Sequence, residues 1–313
     1  MTPSALWVKV SGCCNLRCVG CGYSKGERFP TLDEMRLMLV GEGITEISLT
    51  GVGEALLNPL FAQVVDLCRE MHPSAKLWVI LNGMVPLTKG RRSALANLDS
   101  IGLSMDGSTR ETYESIRVGA TFETFMANAT EIAALGPRVG FSFTATSTNL
   151  HELSGVIQLA AKLGIPEVYA QPMTLVEGVN DQIAGILLDT MDPMLRTTLV
   201  DAAKAEAERL GITFSGPASL YPGPEAEPSS CRCPWTSPPQ IQLATEGYLV
   251  LPCCWIAPSK LSLLGARYGL RYETIPPMAD VFNSPGYDQF RSDLQSGLAR
   301  DICGNCHAAG YFQ

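Results

Sequence analysis

The 313-residue sequence has no apolar run approaching the roughly 20 residues needed to cross a bilayer, so a membrane-spanning helix is not expected. It also lacks any block of lysine and arginine. With a net charge of −8, that argues against nucleic acid or an anionic membrane surface as partner. The opening MTPSALWVKV does not have the basic-then-apolar order of a secretory signal, and the expected location is the cytoplasm. Histidine is scarce, at three residues. His72 and His151 fall at the ends of helical patterns and read as structural, and His307 reads as an exposed residue near the chain end. No Ser–His–Asp set or carboxylate pair stands out, which disfavours hydrolase chemistry.

Cysteine is what the sequence has in excess, with eleven residues. A reducing cytoplasm disfavours disulfides, so clustered cysteines point to metal or redox chemistry. Cys68, inside the helical pattern LFAQVVDLCREM, reads as a small buried hydrophobe. Every other cysteine falls in one of three groups, at 13–21, 231–254 and 303–306. In the first, SGCCNLRCVGC follows the apolar LWVKV, and Cys14, Cys18 and Cys21 are spaced C-x3-C-x2-C. Cys13 reads as a bystander.

The first two-thirds of the chain alternates apolar and amphipathic segments. Strands are expected at 6–11, 46–50, 77–82, 100–105, 139–146 and 167–171. Helices are expected at 31–42, 60–72, 90–98, 109–135 (broken near Gly119), 150–164 and 197–212. The strands are near-continuous apolar runs, as for strands covered on both faces. Strand–helix–strand repetition implies a parallel sheet with right-handed crossovers, a partial TIM-like (β/α)6 barrel whose chemistry sits at the C-terminal strand ends. The cysteine triplet, TGVGEALLNP, Asn82-Gly83 and SMDG (104–107) all fall at that edge. The proline-rich 216–230 then separates a barrel at 1–215 from a tail at 231–313. That tail has two short strand patterns around Glu246-Gly247, a helix near 285–296, and too little regular structure for a core of its own.

Structural zinc takes four protein ligands, whereas three thiolates on one loop leave a coordination position open, and iron–sulfur clusters prefer all-cysteine ligation. With Cys14, Cys18 and Cys21 so spaced after the first strand, the chain resembles the radical S-adenosylmethionine (SAM) enzymes. The resemblance implies a 4Fe–4S cluster on these three thiolates, with one iron left to chelate SAM and generate a 5′-deoxyadenosyl radical. Gly51, Gly53 and Glu54 look like the family's Gly-Gly-Glu turn, Ser104 and Asp106 like its ribose contact, and Arg117 like an arginine near the SAM carboxylate. Two departures stand out. Gly20 replaces the usual aromatic before the third cysteine, with Tyr23 as its expected substitute. Val52 interrupts the glycine turn, and Ala55 stands where proline is common.

The tail, CRCPW…PCC…SPGYDQFRSDL…CGNC, resembles the SPASM or twitch extension, which binds auxiliary clusters. One auxiliary 4Fe–4S cluster is implied, held by Cys231 or Cys233 with Cys253, Cys303 and Cys306; a four-cysteine zinc site is the alternative. Cys254, beside a presumed ligand, is the expected hydrogen donor if the reaction is an epimerisation. No peptide-recognition domain is expected before the triplet, which points to a small-molecule polyol or aminosugar substrate. The nearest resemblance within the family is then to aminoglycoside and aminocyclitol epimerases and dehydrogenases. Peptide maturation is the alternative, and a zinc-stabilised binding protein a distant third. Substrate contacts are sought among Asn149, Gln171 and Glu177, and a reductant such as flavodoxin or ferredoxin is the implied partner.

Overall fold

The computed structural model describes residues 5–21, 29–51, 53–175, 180–222, 240–243, 248–251, 264–273, 276–296 and 298. Strands β1 (Ala5–Trp7), β2 (Glu46–Ser48), β3 (Lys76–Leu81), β4 (Ser100–Ser104), β5 (Arg138–Ala145), β6 (Glu167–Pro172) and β7 (Thr213–Ser215) are linked by helices. These are α1 (Leu32–Met38), α2 (Phe61–Met71), α3 (Lys89–Ala96), α4 (Arg110–Ile116) with α5 (Phe122–Ala133), α6 (Leu153–Lys162) and α7 (Pro193–Leu210). The seven strands pair in parallel in chain order, and each expected strand coincides with an observed one.

The helix starts follow the side chains. Thr31 and Glu34 form a reciprocal capping box on α1, and Thr88 and Thr109 cap α3 and α4. α7 begins at Pro193 behind an Asp192 cap, four residues before its expected start. Proline at the first helical position lacks only an N–H that has no intrahelical partner there. His72 closes α2, and its ring bonds the Leu39 carbonyl at 2.7 Å. Cys68 is fully buried in α2, and burial pushes its thiol up to about 12.

Two expectations need correcting. A seventh parallel strand, β7, follows α7; at three residues of alternating polarity it carries no strand signal. The strands are also covered on one face only. Leu6, Val8 and Val10, like Leu77, Val79 and Leu81, are at most 3 % exposed and face the helices. Their neighbours Trp7, Lys9, Trp78 and Ile80 are only partly buried and lie on the other, concave face. That face continues through Ser142, Thr144, Tyr169 and Gln171 on β5 and β6. Trp78 and Ile80 made β3 read as apolar on both sides.

The sheet continues beyond the barrel. β8 (Gln240–Leu243) lies parallel beside β1, and β9 (Tyr248–Leu251) and β10 (Arg271–Tyr272) follow antiparallel. β8 and β9 fall on the two strand patterns read in the tail. The helix Pro285–Gln295 packs Tyr287 and Phe290 into a fully buried aromatic group with Tyr268 and Phe282. Among the described residues no helix is long and apolar enough to cross a membrane.

The turn after β4 is fixed from α6. Glu152, 8 % exposed, accepts from the backbone N–H of Ser108 and Thr109 (2.5 and 2.9 Å) and from the hydroxyls of Ser108, Thr109 and Thr112. Gly155 makes room for this, since a Cβ there would stand 2.4 Å from Ser108 Oγ. Burial alone would raise the Glu152 pKa, but these donors outweigh it and hold the carboxylate at about 2. A depressed carboxylate stabilises the fold above its unfolded pKa, and that stabilisation is lost as pH falls from about 4.5 towards 2. The shift corresponds to about 3 kcal/mol. Glu152→Gln is therefore expected to cost about that much at pH 7 and to flatten the acid limb of stability, measured by urea unfolding at pH 3 to 7.

Candidate functional site

The triplet loop leaves β1 at the C-terminal edge and is held from three sides. From the end of α4 and the turn after it, the carbonyls of Ile116 and Val118 accept the Val19 and Arg17 N–H groups, both at 2.8 Å. From β2, the Glu54 N–H donates to the Cys13 carbonyl at 2.7 Å. From β3, the Asn82 amide donates to Asn15 Oδ1 at 2.8 Å and lies 3.8 Å from Cys14 Sγ. The Leu16 N–H adds a second contact to that sulfur, at 3.5 Å.

Gly53 and Gly20 are required by this packing. A Cβ on Gly53 would stand 2.2 Å from the Cys13 carbonyl oxygen, so only glycine lets the two turns touch. Gly20 adopts φ +75°, and a Cβ there would meet Met173 Sδ at 2.6 Å. The Asn180 amide donates to the Gly20 carbonyl at 3.0 Å. The turn before the third cysteine is thus supported by residues following β6. Gly51 lies against Lys9, its Cβ position 2.7 Å from Lys9 Cγ.

Glu54 points inward. Its carboxylate, 2 % exposed, caps the 3-10 turn Ala55–Leu57 through the Leu56 N–H and accepts the Asn82 N–H at 2.7 Å. Burial pushes its pKa up to about 7 despite those donors. Asp106 is also engaged. Its Oδ2 takes Nε and Nη2 of Arg117, both at 2.7 Å, and its Oδ1 takes the Thr144 N–H at 2.7 Å. Asn149, fully buried, bonds the Asp106 and Thr144 carbonyls and the Thr146 N–H, so it is a strut behind the site. Ser104, 8 % exposed, bonds no other described residue through its hydroxyl, and Gln171 lies half-buried on the concave face.

Charge around Cys18 is balanced locally. Burial raises its thiol pKa, Arg117 opposes that, and Cys21, Asp106 and Cys14 reinforce it. These influences place Cys14, Cys18, Cys21 and the Arg117–Asp106 pair in one neighbourhood. Beneath, Tyr113 packs on Phe122 and Phe125 with a fully buried hydroxyl that has no partner. Among the described residues no three His, Cys, Asp or Glu side chains are gathered closely enough to hold a single metal ion. The donor set is nonetheless suited to a cluster: all thiols, two N–H groups on the Cys14 sulfur and a cation near Cys18, each of which favours thiolate.

Tyr23, Cys231, Cys233, Cys253, Cys254, Cys303, Cys306, His307 and Glu177 lie outside the described residues. Sequence reading assigned nothing to Lys9, Met173, Asn180 or Glu152, and Asn82 was noted only as part of a turn. Their roles come from which strand ends meet, and no local pattern marks them.

The comparisons with known proteins agree with this geometry. Residues 8–159, spanning the triplet and the loops that hold it, match the family model described as the Radical SAM superfamily. The mycofactocin maturase MftC of Mycobacterium tuberculosis is 28 % identical over 173 residues, which is 52 % of this chain and 43 % of that protein. A GTP 3′,8-cyclase of Chlorobaculum tepidum is 28 % identical over 122 residues, 37 % of each chain. The chain spans less than half the length of these curated relatives. In fold it is similar to Streptococcus suis SuiB bound to the precursor peptide SuiA, with TM-score 0.71, 16 % identity, 93 % of this chain and 67 % of that one. It is also similar to anSMEcpe with bound AdoMet and a Cp18Cys peptide, with TM-score 0.66, 18 % identity, 91 % of this chain and 81 % of that one.

Two outcomes are expected from this geometry. Gly53→Ala forces the β2 turn off the Cys13 carbonyl, so iron uptake after anaerobic reconstitution falls at least several-fold while far-UV circular dichroism stays near wild type. Glu54, whose pKa is raised, favours folding below about 4.5, and that contribution is lost as pH rises through about 7, a loss of about 3 kcal/mol. Glu54→Gln removes this slope between pH 5 and 8 in urea unfolding, whatever its effect on absolute stability. With the triplet and its supporting turns taken together, the segment 8–159 is the part of the chain that matches the Radical SAM superfamily.

Proposed function

We propose that the chain is a radical SAM enzyme whose substrate is a peptide, with Cys14, Cys18 and Cys21 holding a 4Fe–4S cluster. The observation that carries the cluster assignment is the pair of N–H groups on the Cys14 sulfur, from Asn82 and Leu16, inside an all-thiol loop. Bound there with SAM, the cluster supplies a 5′-deoxyadenosyl radical able to take hydrogen from an unactivated C–H bond. The chain's own residues prepare the place. The Gly53–Cys13 contact fixes the loop's entry, and the Asn180–Gly20 bond fixes its third-cysteine turn. Ser104 offers a free hydroxyl at the end of β4 for the cofactor's ribose. Asp106 holds Arg117 beside Cys18 and is itself oriented by the Thr144 N–H.

The peptide assignment replaces the aminosugar as the leading substrate. MftC is named a maturase, and two fold neighbours have solved structures with peptides bound. An aminosugar cation would need free carboxylates on the concave face. Among the described residues those present are engaged: Glu46 with the Trp78 indole, Glu167 with Arg138, and Asp106 with Arg117. Epimerisation or dehydrogenation of a small polyol is the second reading, and the GTP cyclase relative favours a small molecule. An auxiliary 4Fe–4S cluster on Cys231 or Cys233 with Cys253, Cys303 and Cys306 belongs to the proposal, as do Cys254 as hydrogen donor and a flavodoxin or ferredoxin as reductant.

The test is an iron, sulfide and zinc count on anaerobically reconstituted protein beside a Cys14/Cys18/Cys21→Ala variant, with deoxyadenosine followed in both. The variant is expected to lose about four irons per chain and all deoxyadenosine release. Zinc in place of iron, or release that survives the substitutions, sinks the proposal. A panel of short peptides set against a panel of aminocyclitols separates the two readings by which one accelerates deoxyadenosine formation.

A further inference from the structure

Lys9 is an unexplained charge. It follows β1 on the concave face, between Val8 and Val10, which are 3 % and 0 % exposed and face the helices. Its own side chain is only partly buried and therefore reachable from that face. Among the described residues nothing accepts a hydrogen bond from its ammonium and no carboxylate pairs with it. Burial lowers its pKa with no charge nearby to oppose the shift. Among the described residues around it the concave face is neutral or already hydrogen-bonded. Trp7 and Trp78 meet edge to face at 6.4 Å on the strands below. The Thr50 hydroxyl is taken by the Ile80 N–H and the Ser48 hydroxyl by the Thr50 N–H. Gly51, at the start of the turn that touches the triplet loop, is packed against the Lys9 stem, which fixes where that stem runs. A half-buried ammonium without a counter-ion is costly in an empty protein. The cost is relieved when a ligand brings the missing charge.

We infer that Lys9 binds a carboxylate on the concave face beside the triplet loop, either one carried by the substrate or the methionyl carboxylate of SAM. The identity of the second source rests on the radical SAM reading; the anion site itself does not. One lysine presents a compact charge with three donors, suited to a single carboxylate, and a charge-assisted bond of this kind changes affinity by about tenfold or more.

The experiment uses full-length reconstituted protein, with iron counted in every sample, and compares wild type with Lys9→Met and Lys9→Arg. SAM affinity is measured by anaerobic calorimetry. N-acetylglutamate and its neutral analogue N-acetylglutamine are compared by saturation-transfer NMR, which detects weak binding. If the carboxylate belongs to the cofactor, Lys9→Met weakens SAM at least tenfold and Lys9→Arg restores most of it. If it belongs to the substrate, SAM affinity is unchanged, N-acetylglutamate binds wild type in preference to N-acetylglutamine, and Lys9→Met abolishes that preference. In either case Lys9→Met melts at or above the wild-type temperature without ligand, because an unpaired buried charge has gone; a purely structural lysine would lower it. Unchanged SAM affinity together with no discrimination between the two amino acids overturns the inference. Failure of the cluster to assemble would count against the radical SAM reading and leave the N-acetylglutamate comparison to decide the anion site.

Discussion

The site depends on one close backbone contact, where the turn after β2 lies directly on the cysteine loop after β1. Gly53 has no room for a side chain over the Cys13 carbonyl, and the next residue donates its N–H to that same oxygen at 2.7 Å. At this approach a Cβ on residue 53 would stand 2.2 Å from the Cys13 carbonyl oxygen, so the contact requires glycine. Glu54 then turns its carboxylate back under the contact to cap the 3-10 turn and take the Asn82 N–H. Asn82 in turn presents its amide to Asn15 and the Cys14 sulfur. Three strand ends are thereby locked in series, and the sulfur at the end of the series is oriented by all of them.

A second chain of contacts reaches the loop from the opposite side. Glu152, the residue before α6, gathers the N-terminus of α4, and Arg117, directly after α4, grips Asp106 while lying close enough to Cys18 to offset part of its burial. Removing either member of the buried Arg117–Asp106 pair would leave a lone charge, a larger loss than the pair itself is worth. The pair therefore sets position and local potential more than it adds stability. The same carboxylate is already oriented from both sides, by Arg117 on Oδ2 and by the Thr144 N–H on Oδ1.

The barrel was legible because each of its signals is local. Alternating segments gave six strands, and C-x3-C-x2-C gave the thiol loop. What was not legible is non-local. β7 is three residues long and gains its identity only from pairing with β6. Asp106 read as a polar residue facing a ligand, and its anchoring by Arg117 and Thr144 comes from residues 11 and 38 positions away. Lys9 read as one polar residue in an apolar strand. That it has no partner among the described residues depends on what the neighbouring strands carry, which no short stretch of sequence displays.

The departures from the family pattern fall where the structure has rearranged its support. An aromatic before the third cysteine would need space that Met173 fills here, and the left-handed backbone at that position suits glycine. Met173 follows directly on β6, and Asn180 beyond it bonds the Gly20 carbonyl while also taking the Thr174 carbonyl. The loop after β6 is thus tied to the turn that carries Cys21. A ligand that moved Met173 or the Asn180 amide would shift the Cys18–Cys21 turn with it, since the glycine between them has no side chain to absorb the displacement.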